Sequence, residues 1–99
     1  MKNLANIFPG EILEEEFLKP LGITPYRLSK SVRIQQTAIS MIIKGKRSIT
    51  PDTAIRFSKY FGTTPEFWMN LQREHDLRIS NQKNKNLFDS IVPYAVNQN

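Results

Sequence analysis

The 99-residue sequence has no cysteine and a single histidine, His75. Without cysteine there can be no disulfide and no thiolate metal site, and one imidazole alone supports neither a metal centre nor a catalytic pair. His75 therefore reads as a partly buried helix residue. Apolar runs end after a few residues, far short of the roughly 20 that cross a bilayer. The opening stretch MKNLANIF lacks the long apolar run of an export signal. A reducing cytoplasm with no membrane partner is the expectation. Glycine-rich phosphate loops are missing, and no Ser-His-Asp set stands out. We therefore expect no catalytic residue, no cofactor and no metal.

Acid is missing from one long stretch. Between Pro25 and Arg47 lie Arg27, Lys30, Arg33, Lys44, Lys46 and Arg47, with no Asp or Glu. The residues before it are net acidic and those after it nearly balance. The whole surplus behind the net charge of +5 therefore sits here. The same stretch has a helical pattern. Thr24 is a good N-cap and Pro25 suits the first helical position. Leu28 and Val32 recur at helical spacing, and the pattern breaks near Arg33-Ile34. A second run then places Ala38, Ile39, Ile42 and Ile43 on one side. Gln36, Thr37, Ser40, Met41 and Lys44 lie largely on the other, and Gly45 ends the run. Two short helices, a brief turn and a polar outer face make a helix-turn-helix plan. Its basic surround points to nucleic acid.

The rest of the chain is arranged around this motif. The length suits one domain with one modest core. Thr-Pro pairs at 24–25, 50–51 and 64–65 mark three helix starts. Residues 1–8 read as a loose arm. A first helix is expected from Pro9-Gly10 to about Lys19, ended by Pro20 and Gly22, with Leu13, Phe17 and Leu18 inward. The helix-turn-helix pair should cover about 25–31 and 35–44. A fourth helix should run from Pro51 to about Tyr60, with Ala54, Ile55, Phe57 and Phe61 inward. A fifth should run from Pro65 to about Arg78, with Phe67, Trp68, Leu71 and Leu77 as its apolar load. Residues 80–86 read as a polar linker. The stretch 87–96 reads as a frayed terminus, with a short edge strand or packed coil as alternatives. The predicted architecture is all-α: a five-helix domain over 9–78 with a tail over 79–99.

Candidate contacts follow from residue chemistry. Gln36 and Thr37 open the second helix of the motif, the part that approaches base edges. Gln can pair bidentately with adenine, and Thr can meet a thymine methyl. Ser40 continues that face. Met41 lies beside it, as an apolar contact or a gap filler. Gln35 precedes the helix. Lys44, Lys46 and Arg47 flank the end of that helix, where they are placed for phosphates, and Arg27 and Arg33 join them as DNA-binding candidates. Arg33 occupies a turn position that favours glycine at positive φ, so two readings stand: strain alone, or a phosphate contact. Glu11, Glu14, Glu15 and Glu16 form either a solvated acidic face or a contact for a basic partner. Phe67, Trp68 and Leu71 are either core or part of a dimer surface.

The segments FPGEILEEEFLKPLGITPYRLSKSV and AISMIIKGKRSITPDTAIRFSKYFGTTPEFWMNLQREHDL resemble the HigA (VapI-type) antitoxins of the Xre helix-turn-helix group. The resemblance covers about 8–78. It rests on Pro9–Glu11, Glu15–Gly22, Gly45–Arg56 and Gly62–Leu77. It implies an all-α, lambda-repressor-like domain, usually dimeric, that binds double-stranded operator DNA; because one short reading helix covers few base pairs, a two-fold dimer on an inverted repeat is the expectation. It also implies repression of the protein's own operon and neutralisation of a HigB-like toxin, an mRNA endonuclease. The alternative it leaves is a stand-alone Xre-type regulator without a toxin. By position, the reading helix falls on Gln36–Ile43. The chain departs from the family pattern at Ser29, Arg33, Gln35 and His75.

Overall fold

The computed structural model describes residues 7–97, and among them every regular element is a helix. Helix α1 covers 9–21. It begins as α-helix at Pro9–Ile12, widens to a π-helical turn at Leu13–Leu18 and resumes as α-helix at Lys19–Leu21. The expected stop at Pro20 is thus a passage. A proline in a regular helix loses one hydrogen bond and drives its ring into the carbonyl four residues back. Here the Lys19 N–H donates to the Glu14 carbonyl, five residues back. The widened turn accommodates the ring. Gly22, at φ 67°, then caps the helix.

Helix α2 (Pro25–Val32), helix α3 (Gln36–Ile43), helix α4 (Pro51–Phe61) and helix α5 (Pro65–Lys83) follow. All three Thr-Pro starts form as expected. The hydroxyls of Thr24, Thr50 and Thr64 accept the N–H groups of Arg27, Thr53 and Phe67 at 3.1, 3.3 and 3.1 Å. Each such cap contributes about 1 kcal/mol. The core joins Leu13 and Leu18 of α1, Leu28 and Val32 of α2, Ile39 and Ile42 of α3, Ala54 and Phe57 of α4, and Trp68 of α5. Ile49, in the loop before α4, completes it. Fully burying each large apolar side chain contributes roughly 1.5–3 kcal/mol. At Gly10, α1 meets the carbonyl end of α3 so closely that a Cβ would fall 1.7 Å from the Ile42 oxygen. Only glycine permits that approach.

Several expectations need correction. Ile55 faces outward, not into the core, and Leu77, part of the α5 apolar load, is exposed. Trp68 is 0% exposed. It is packed among Phe17, Phe57, Phe61 and Phe67 with ring centroids 5.0–6.0 Å away. A dimer partner cannot reach it. Helix α5 runs past Arg78 to Lys83, so much of the expected linker is helical. The tail holds no strand among its described residues: α6 (Lys85–Asp89) and α7 (Tyr94–Asn97) follow instead. Of the expected N-terminal arm, 1–6 lie outside the described residues. Ile7 and Phe8 are half-buried, and the Ile7 carbonyl accepts from Arg78 at 2.9 Å.

Candidate nucleic-acid interface

The interface is built on α2, its turn and α3. Ala38, Ile39 and Ile42 anchor α3 in the core. Helical geometry then turns Gln36, Thr37, Ser40, Met41 and Lys44 outward, where they line one shallow groove. Gln35 is the N-cap, in extended conformation, and its side chain does not cap the helix. A neighbouring groove between α2 and α3 is lined by Tyr26, Lys30, Arg33, Gln35 and Gln36, among others. A third brings Arg33 and Gln35 beside Arg47, Thr50 and Arg56. The structure thus gathers Arg33, Gln35, Gln36, Thr37, Ser40, Met41, Lys44 and Arg47 on adjoining surfaces. Arg27 is exposed on α2 outside these grooves. Lys46 is exposed on the loop after α3, where with Arg47 it borders a separate cavity.

Tyr26 was not singled out from the sequence, and Lys30 only as one of the basic residues. Tyr26 is exposed, and the Lys30 ammonium lies 5.4 Å from its ring centroid. Their four-residue spacing on a capped helix was a signal available in the sequence. Arg56 was also missed, and its part is structural. Arg33 adopts φ 59°, ψ 46°, the left-handed conformation that its turn position suggested. Arg56 Nη1 donates to the carbonyls of Val32 and Arg33 at 3.0 and 2.7 Å, and its Nε donates to Asp52 at 3.0 Å. A guanidinium at the carbonyl end of α2 suits the helix dipole. Such charge-assisted bonds contribute roughly 1.5–3 kcal/mol, against roughly 1–2 for the strain at Arg33. The brace is thus of the size needed to offset the strain. Arg33→Gly is expected to raise the unfolding free energy by up to about 1 kcal/mol, because it relieves the strain and leaves the carbonyls braced. Urea unfolding checks this, and a loss of stability would contradict it.

The acidic candidates lie on α1, whose start packs against the carbonyl end of α3. Glu16 is exposed, while Glu11, Glu14 and Glu15 are half-buried. Glu15 pairs with Lys19 at 2.6 Å. The hydrogen bond from Lys19 to Glu15 and the Glu15 charge, with a smaller contribution from Glu14, hold the Lys19 ammonium above its ordinary pKa. Phe67 is 37% exposed and Leu71 half-buried at the edge of the aromatic cluster. Among the described residues no group of three or more His, Cys, Asp or Glu could hold a metal. No described helix is long and apolar enough to cross a membrane.

This geometry has known counterparts. A helix-turn-helix family model matches residues 15–68. Virulence-associated protein I of Dichelobacter nodosus is 39% identical over 89 residues, which cover 90% of this chain and 82% of that protein. Antitoxin HigA-1 of Vibrio cholerae is 40% identical over 68 residues, covering 69% and 64% respectively. The solved structure of Pseudomonas aeruginosa antitoxin HigA with higBA promoter superposes with a TM-score of 0.85 at 38% identity, covering 89% of this chain and 97% of that one. The chain belongs to the helix-turn-helix family of DNA-binding proteins and, within it, to the group of HigA and VapI-type antitoxins.

Proposed function

We propose that this protein is the antitoxin of a type II toxin-antitoxin pair. It reads an inverted-repeat operator as a two-fold dimer, represses its own operon and neutralises a HigB-like mRNA endonuclease. One observation carries the DNA part. The outer face of α3 presents Gln36, Thr37, Ser40 and Met41 together, bordered by cations in a stretch that holds no acid. In this reading Gln36 and Thr37 meet base edges, with Ser40 and Met41 beside them. Arg27, Arg33, Lys44, Lys46 and Arg47 hold phosphates.

One short reading helix spans few base pairs, so a dimer is needed to recognise an operator, with half-sites about 34 Å or a multiple apart. Exposed apolar side chains at Leu77, Ile79, Leu87, Phe88 and Ile91, with Phe67 nearer the core, support a contact through α5 and the segment after it. With Trp68 buried, that contact lies further along α5 than the sequence suggested. Sedimentation with and without an inverted-repeat duplex of the protein's own promoter is expected to show a dimer and a complex of two chains per duplex. Monomer under both conditions would contradict the proposal.

The toxin contact is assigned to α1. A ribonuclease needs a basic surface to hold RNA, and Glu11, Glu14, Glu15 and Glu16 offer it carboxylates outside the basic stretch 25–47, so that toxin and DNA can bind at once. Such charges chiefly speed encounter. Glu14→Gln/Glu15→Gln/Glu16→Gln is expected to slow association with the cognate HigB-like toxin, more at low salt than at moderate salt, with operator binding unchanged. An unchanged association rate at both salts would move the contact to another surface.

A further inference from the structure

Ile49 is an apolar loop residue only 2% exposed, and its N–H does not bond to its own neighbourhood. It donates to Gln72 Oε1 on α5, at 2.7 Å and 23 residues away. Gln72 is itself buried, and its Nε2 donates to Asp76 Oδ1 at 2.9 Å. An amide carries its acceptor at one end and its donors at the other. Asp76 accepts only from the NH2 end, so it holds the oxygen of Gln72 toward Ile49. The loop pinned in this way carries Lys46, Arg47 and Ser48. Its near end is fixed by the Lys46 N–H on the Met41 carbonyl at 2.8 Å, and its far end by Gln72. Between those ends it backs onto a cavity of about 140 Å³, which Gln72 and Asp76 also line. The Ile49–Gln72 hydrogen bond, together with the burial of the Ile49 side chain in the core, therefore sets where Lys46 and Arg47 stand.

We propose that Gln72, oriented by Asp76, is a positioning residue for DNA binding. It fixes the loop after α3 so that Lys46 and Arg47 meet phosphates while α3 meets bases. This rests on the DNA-binding reading given above. A buried side chain can then govern affinity without touching DNA.

The test measures binding to a mixed-sequence duplex over a range of salt. Each phosphate contact adds about 0.9 to the slope of log affinity against log salt. Gln72→Leu is expected to lower that slope by about one to two units. A fall in the folded fraction alone would leave the slope unchanged. In a Lys46→Ala/Arg47→Ala background, Gln72→Leu should change it little further, because the groups it positions are gone. Gln72→Glu alone loses the donor and faces Asp76 with like charge, so the slope should fall. Gln72→Glu/Asp76→Asn should restore it, since the carboxylate at 72 then accepts from both Ile49 and the new amide. This pair carries the test if Gln72→Leu does not fold. An unchanged slope in Gln72→Leu, or no recovery in the double swap, overturns the proposal while the DNA reading stands. If Lys46→Ala/Arg47→Ala itself leaves the slope unchanged, the phosphate assignment fails and the proposal with it.

Discussion

Trp68→Ala is expected to remove about 3–5 kcal/mol of stability, the range for deleting a large buried aromatic. Domains of this size are stable by only about 5–15 kcal/mol, so the variant should be partly unfolded at ordinary temperature. The size of the effect follows from position. Trp68 is where α1, α4 and α5 meet, through Phe17, Phe57 and Phe61. Its indole N–H also donates to Thr63 Oγ1 at 2.8 Å, just ahead of the Thr64 cap. Deletion leaves a cavity between helices that cannot all close on it. Trp68 is the only tryptophan, so unfolding is best followed by far-ultraviolet circular dichroism. A loss below about 1 kcal/mol, the size typical of lesser substitutions, would mean that Trp68 does not hold the core together.

Gln36→Ala is expected to leave the fold intact and change which DNA is preferred. The side chain is exposed, and surface substitutions usually move stability by no more than about 0.5 kcal/mol. Losing a bidentate base contact removes about 1–3 kcal/mol of discrimination at one base pair. Thr37→Ala should relax a neighbouring position. Lys46→Ala should instead weaken all sequences alike and lower the salt slope by about one unit. Quantitative binding to operator and scrambled duplexes separates these patterns. A Gln36→Ala protein with unchanged affinity and preference would move the reading face elsewhere.

Much of the fold was legible because its signals are local. Each Thr-Pro pair carries its own cap and its own first residue. The apolar spacing of Leu28, Val32, Ile39 and Ile42 gives two helices and their common inner side. The interruption at Arg33 marks a positive φ, whatever residue stands there. What was not legible depends on distant partners or on small rotations. Phe67 and Trp68 are adjacent and equally apolar, yet about 100° of helical rotation puts one at the edge of the cluster and the other at its centre. The π-helical turn that carries α1 past Pro20 changes how the four glutamates face, and composition does not register it. Residues 79–83 are too polar to show a buried face, so their helix was hidden. The bond from Gln72 to Ile49 joins residues 23 apart, beyond any local pattern. Candidate DNA residues were legible as chemistry. Their gathering into adjoining grooves required the structure, whereas the four-residue spacing of Tyr26 and Lys30 was there to be read.

The most direct test of the central claim is amide chemical-shift mapping of the isotope-labelled protein titrated with a duplex from its own promoter. The account predicts the largest changes over 33–47, with Tyr26, Arg27 and Lys30 following and the outer face of α1 unmoved. Changes concentrated on α1 or on α6, with 33–47 silent, would contradict it.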